Sequence, residues 1–170
     1  MIPKIIHYCW FGDAPYPALV VNCIESWKKF MPEWELRLWD MSSLQEINAV
    51  WVKEALDMKK WAFVADYVRL WAVYRYGGFY LDTDVEVYKD FTPLCRFPYV
   101  ISLEDNSGQI NVATFGAEAG NLYIGKYLDA YNNMHFKTMD GKPDIDSYMP
   151  KVLKRLNETL PWGGVQNISK

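Results

Sequence analysis

Apolar positions along this chain switch repeatedly between a period of two and a period near 3.6. In "IPKIIHYCWFG", Ile5, His7 and Cys9 alternate with Ile6, Tyr8 and Trp10, the two mixed faces of a buried strand that stops at Gly12-Asp13. From Pro17 onward the apolar positions fall at Val20, Cys23, Ile24, Trp27 and Met31, a single helical stripe. "EWELRLWD" returns to alternation at Trp34, Leu36 and Leu38, so strand, helix and strand form a crossover unit with its strands parallel. Ser43 and Glu46 stand at capping-box spacing and open a predicted helical region that runs through Ala49 to Met58. "WAFVADYVRLWAVYRY" predicts a helix over 61–76 that is apolar nearly all round, closed by Gly77-Gly78 where a left-handed C-cap is expected. Short strands follow at 79–81, 99–103 and 110–117. Beyond them come a helix from Leu122 to about Asn133, with Asn121 as N-cap, and a last one from 146 or 147 to 160. The alternation predicts α/β architecture, a mixed sheet flanked by helices in one domain over 1–170.

Composition narrows this picture in three ways. A chain of 170 residues with 51% hydrophobic positions has enough apolar surface for one sizeable core. A net charge of −3 and scattered lysines supply no basic field, which excludes nucleic acid as a partner. Three cysteines in apolar surroundings suit reduced, buried thiols in a cytoplasmic protein better than a disulfide framework. Pro3, Lys4 and His7 interrupt the first apolar stretch, so neither a signal peptide nor a membrane anchor is expected there. The 8 tryptophans and 12 tyrosines exceed what a core of this size needs and suit either stacking on sugars and bases or a thick-walled interior.

The chemistry concentrates in "YRYGGFYLDTDVEVYKD". Asp82 and Asp84, two apart in an extended chain, would present both carboxylates to one side. Oxygen-only ligation of that kind selects Mg²⁺ or Mn²⁺, whose remaining positions phosphate oxygens readily fill, so the pair suits stabilisation of a departing diphosphate. An acidic hairpin tip is the alternative for an isolated D-x-D. The apolar strand before the pair, however, puts it where α/β sheets bind ligands, at a strand's end. Upstream, Asp66 and Arg69 share one face of the apolar helix, as an intrahelical ion pair or as ligand contacts. Glu86 continues the alternation as a supporting or solvated residue.

Taken together, "FVADYVRLWAVYRYGGFYLDTDVEV" resembles the signature of glycosyltransferases containing the D-x-D sugar-binding motif, family 32. That family includes yeast Golgi mannosyltransferases and bacterial capsular polysaccharide enzymes and is related to the glucosylating clostridial toxins. "IPKIIHYCWFG" is similar to its first strand. The resemblance implies a GT-A type fold, Rossmann-like, that binds a nucleoside diphosphate sugar, often a UDP-sugar, and Mn²⁺ or Mg²⁺. It implies that Asp82 and Asp84 bind the metal and diphosphate, and that Asp66 and Arg69 hold the donor sugar. The nucleotide pocket would draw on Trp10, whose indole can stack on a base, and on His7 and Tyr8, although a lone histidine in a buried strand is ordinarily a hydrogen-bonded core residue. Glu104, Asp105 and Asn106 fall where acceptor-side loops are expected. The implied reaction is hexose transfer, with retention, to a saccharide or lipid-linked saccharide in polysaccharide biosynthesis. Such an acceptor would allow at most peripheral association with the inner face of a membrane. Family members generally run longer, so the domain is expected to be short at its C-terminal end. Two rivals stand beside this reading: a domain that binds nucleotide-sugar without turnover, and a haloacid dehalogenase-like phosphatase, whose D-x-D opening "FYLDTDVEV" also fits.

Overall fold

The structure, a computed structural model, describes residues 1–104 and 109–145. The helix expected from 146 onward, and the candidates Asp105 and Asn106, lie outside the described residues.

Five strands form one mixed sheet in the order β2-β1-β3-β5-β4. They are β1 (Ile5–Cys9), β2 (Glu35–Trp39), β3 (Gly78–Leu81), β4 (Tyr99–Glu104) and β5 (Gln109–Ala117). Strands β2 and β3 both run parallel to β1, whereas β5 is antiparallel to β3 and β4 to β5. The parallel half follows from its helical crossovers, and the antiparallel half from the direct return of the chain.

Pleating divides the core in two. Ile6 and Tyr8 of β1 and Phe79 and Leu81 of β3 pack with α1 (Ala18–Phe30), whose buried stripe is Val20, Cys23, Ile24 and Trp27. Cys9 and Tyr80 face the other way, into a larger cluster formed with α2 (Val50–Asp57), α3 (Trp61–Tyr76) and α4 (Leu122–Asn132). Helix α3 is the central element of that layer. Val64, Val68, Leu70, Ala72 and Val73 are fully enclosed, which explains the absence of a polar face in its sequence.

Three expectations are corrected. Ser43 and Glu46 make no capping box: Asp40 Oδ1 accepts the Ser42 and Ser43 amides, closing a 3-10 turn over Ser43–Glu46. Ile47 is extended, so the predicted helix splits and α2 begins only at Val50. The α3 terminus does use a glycine with positive φ, but Gly77 has φ 67° and ψ −177°, which swings the chain straight into β3 instead of closing a left-handed cap. A Cβ on Gly77 would come within 2.8 Å of the Ala119 amide nitrogen and the Pro3 ring, and one on Gly78 (φ 108°) within 2.7 Å of the Ile5 carbonyl, so both positions demand glycine. Finally, β3 ends at Leu81, and Asp82 to Asp84 lie on a turn closed by the Val85 amide donating to Asp82 O at 3.0 Å. The carboxylates are therefore gathered by a turn rather than by strand alternation. Asn121 caps α4 as expected, accepting from the Tyr123 and Ile124 amides.

Candidate active site

The aspartate turn is held from behind by α1. Trp27, fully buried, donates its indole N–H to Val85 O at 2.8 Å, and Ser26 Oγ accepts the Val87 amide at 2.9 Å. A tryptophan enclosed to this degree contributes on the order of 3 kcal/mol through burial. The turn is thus fixed to a rigid element and projects beyond the carboxyl ends of β1 and β3, where open α/β sheets bind ligands.

A cleft of about 980 Å³ opens there, walled by Cys9 to Ala14 after β1, by Lys59, Trp61, Ala62, Ala65 and Arg69 from α3 and the turn before it, and by Tyr80 and Asp82 to Asp84. Its charged floor is one connected network. Arg69, 6% exposed, places Nη2 3.2 Å from Asp66 Oδ1 and Nη1 3.4 Å from Asp82 Oδ1, joining the helix to the turn. The same guanidinium donates through Nη1 to Val112 O and through Nε to Ala65 O, and it lies over the Tyr80 ring at 4.7 Å. Tyr80 in turn donates its hydroxyl to Asp82 Oδ1 at 2.8 Å. Burial opposes the charge of Arg69, but the Asp66 and Asp82 carboxylates beside it outweigh that cost, so the arginine holds its proton above its ordinary range. Burial also raises the Tyr80 hydroxyl and pushes Cys9 up to about 12, so both stay protonated donors and the thiol is no nucleophile.

Of the residues singled out from sequence, the structure brings Trp10, Arg69, Asp82 and Asp84 to the cleft, with Asp66 behind Arg69. Trp10 is partly exposed, its indole N–H fixed to Ala14 O at 2.9 Å and its ring packed edge-on against Tyr16. His7 and Tyr8 stand elsewhere. The His7 side chain is fully buried between its donation to Gly77 O at 2.7 Å and the Trp39 indole N–H that it accepts at 3.1 Å. Tyr8 packs against Trp27 on the α1 face of the sheet. Pleating turns Tyr8 to the α1 face, and His7, on the other face, lies a residue pair short of the strand's end where the cleft opens, tied to Gly77 and Trp39. Glu86 is exposed and accepts a hydrogen bond from Tyr88, and Glu104 closes β4. Tyr80, Lys59 and Trp61 line the cleft without having been singled out. An aromatic two residues before Asp82, in the same alternation as Asp82 and Asp84, was the available signal for Tyr80.

Among the described residues, no group of three or more His, Cys, Asp and Glu side chains gathers as a metal site. The two carboxylates of the turn are the groups that could hold a cation.

The family profile for the glycosyltransferase sugar-binding region containing the DXD motif matches residues 17–116, more than half of the chain. The chain belongs to this family. Membership accounts for α3, the Gly-Gly junction and the aspartate turn as one unit, and it decides against the phosphatase alternative. A relative of this DXD-family domain, inositol phosphoceramide mannosyltransferase 3 of Schizosaccharomyces pombe (strain 972 / ATCC 24843), is 33% identical over 114 residues, covering 65% of this chain and 32% of that protein. The chain thus spans about a third of that relative's length. Among solved structures, PaToxG glycosyltransferase superposes with a TM-score of 0.65 at 18% identity over 94% of this chain and 71% of its own. The galactosyltransferase LgtC, solved with donor and acceptor sugar analogs, gives 0.52 at 14% identity over 89% and 70%. These likenesses identify the DXD-family sheet and its helices as the GT-A fold.

Proposed function

We propose that this domain transfers a hexose from a nucleoside diphosphate sugar to a hydroxyl of a saccharide acceptor, with Mn²⁺ or Mg²⁺ held by Asp82 and Asp84. The observation that carries the reading is the Asp66–Arg69–Asp82 network, buried on its inner side and opening into a cleft at the strand ends. The donor set fits a hard cation, being two carboxylates on a turn that lines the cleft, with room beside them for phosphate oxygens. When bound, such a cation neutralises charge on the departing diphosphate.

The chain's own residues do the rest. Arg69 presents a fixed cation to the donor, and its position is paid for by Asp66 and Asp82 rather than by the ligand. Arg69 orients sugar hydroxyls from α3, with Asp66 holding the guanidinium from behind. Trp10, fixed by Ala14, offers its indole to the nucleobase. Tyr80 keeps Asp82 Oδ1 in one orientation, which leaves the ligand-facing geometry of the carboxylate set before anything binds.

We assign the donor as a UDP-hexose, the transfer as retaining, and the product as part of a polysaccharide, capsular material included. A lipid-linked acceptor would bring the domain to the inner face of a membrane as a peripheral protein; no helix among the described residues is long and apolar enough to cross one. The mannosyltransferase name of the yeast relative supports a second donor reading, a nucleotide-mannose. Calorimetric titration with UDP and GDP, with and without Mn²⁺, followed by assays with UDP-glucose, UDP-galactose and GDP-mannose, tests both. The expected result is Mn²⁺-dependent binding that Asp84→Ala abolishes. Nucleotide binding without hydrolysis or transfer of any of these sugars would instead mark a binding domain. Hydrolysis of a generic phosphoester without nucleotide binding would overturn the assignment altogether.

A further inference from the structure

Lys59 stands in an unusual place. Helix α2 ends with the Lys60 amide donating to Ala55 O and the Lys59 amide to Leu56 O, each at 2.9 Å, the paired bonds of a Schellman closure. In that closure the residue at the Lys59 position must take a left-handed backbone, and glycine is the usual occupant because it has no Cβ to crowd the following carbonyl. Here it is lysine, with φ 54°, the one residue other than glycine with positive φ among the described residues. Its side chain is exposed and lines the cleft that holds Asp82, Thr83 and Asp84.

The charge inventory of that cleft gives the position its meaning. The charged side chains on its wall are Asp13, Lys59, Arg69, Asp82 and Asp84. Arg69 is already committed to Asp66 and Asp82. Lys59 makes no ion pair among the described residues, whereas four of the other lysines there do, or bond to a nearby side chain: Lys4, Lys28, Lys53 and Lys142. A cation bound at Asp82 and Asp84 would cancel those two carboxylates; besides Arg69, which Asp66 still answers in part, Lys59 is then the positive side chain on the wall that an anionic diphosphate can use. A flexible ammonium at the mouth suits that task, because it can follow the phosphates in and let them go. Lysine at a helix C-terminus also interacts favourably with the last carbonyls, so the charge has a local use as well, and the test separates the two.

Resting on the donor assignment above, we propose that Lys59 binds the diphosphate of the nucleotide-sugar and that the left-handed backbone of the α2–α3 turn is retained to deliver it. The experiment titrates the full chain, in Mn²⁺, with UDP and GDP and with uridine and guanosine, comparing the wild type with Lys59→Ala, Lys59→Gly, Lys59→Arg and Asp84→Ala, and records each protein's melting temperature. Expected is about a tenfold loss of affinity for the tighter-binding diphosphate in Lys59→Ala and Lys59→Gly, with nucleoside binding unchanged, and a shallower dependence of that affinity on NaCl. Lys59→Arg should stay within about threefold of wild type, since it keeps the charge. Lys59→Gly should melt higher than Lys59→Ala while binding equally poorly, which a purely structural lysine would not do. Wild-type affinity in Lys59→Gly would overturn the proposal, as would equal losses for diphosphate and nucleoside. If Asp84→Ala loses diphosphate binding and the Lys59 variants do not, only the lysine assignment falls. If the folded wild type binds neither diphosphate, the donor assignment falls and takes this one with it.

Discussion

On the α3 wall of the cleft, Asp66 and Arg69 are 7% and 6% exposed and answer each other's charge. On the opposite wall, Asp84 faces solvent at the tip of a turn, and Asp82 belongs to both sides, one oxygen taken by Tyr80 and Arg69. The difference shows how one site divides its labour. Charges that must be in place before the ligand arrives are buried, paired and expensive to remove, because an isolated ion in the interior has no water to fall back on. Charges meant for the ligand stay wet and are cheap to remove as far as folding is concerned.

That contrast can be broken in order of expected effect. Arg69→Ala removes the guanidinium that answers Asp66 and Asp82 and should cost about 3–5 kcal/mol in urea denaturation; a loss under about 1 kcal/mol would mean the network is dispensable to the fold. Next comes pH. Burial pulls His7 down from 6.5 to about 4, since a charged imidazolium there would lose its hydration; protonation would also turn Nδ1 from an acceptor of the Trp39 indole N–H into a donor facing it. A group whose folded pKa is lowered stabilises the protein above its unfolded pKa and loses that contribution as pH falls toward the folded one. His7 should therefore contribute on the order of 3 kcal/mol at pH 7 that disappears between about pH 6.5 and 4, and His7→Gln should flatten that part of the pH–stability curve.

Tyr80→Phe removes one buried donor to Asp82 and should cost about 1 kcal/mol. Because Asp82 then loses its fixed orientation, Mn²⁺-dependent nucleotide affinity should fall alongside, which separates Tyr80 from an ordinary core aromatic. The smallest effect on stability is Asp84→Ala, within about 0.5 kcal/mol by chemical denaturation, although it is the variant expected to abolish nucleotide binding. An Asp84→Ala protein as destabilised as Arg69→Ala would erase the distinction between the two walls.

Much of this site was legible in advance because its parts are sequence-local. The helix over 61–76 coincides with α3, since an uninterrupted apolar run closed by Gly-Gly admits few alternatives. Asp66 and Arg69 lie three apart on it, and their pairing follows from helical geometry alone. What went astray involved competition between local options. Ser43 had two carboxylates within reach, Asp40 behind and Glu46 ahead, and the 3-10 turn with Asp40 prevailed. His7 and Tyr8 were assigned to the pocket through the strand they share with Trp10, but a pocket beyond a strand's end takes its residues from the loop that follows.

The order of residue types by itself determined the α/β class, the long buried helix, the pairing of Asp82 with Asp84 at the end of β3, and the family to which the chain belongs, whereas the turn that carries the two aspartates came only with the structure. It could do so because periodicity, capping and a spaced motif are properties of neighbours along the chain. Only the tertiary structure decided that Arg69 reaches across to Asp82, that Tyr80 lies beneath both, that His7 is sealed under the end of α3, and that Lys59 comes to the same cleft from the far end of α2. Those pairings join elements through the sheet, and the desolvation that gives them their strength does not exist until the sheet and its helices have closed around them.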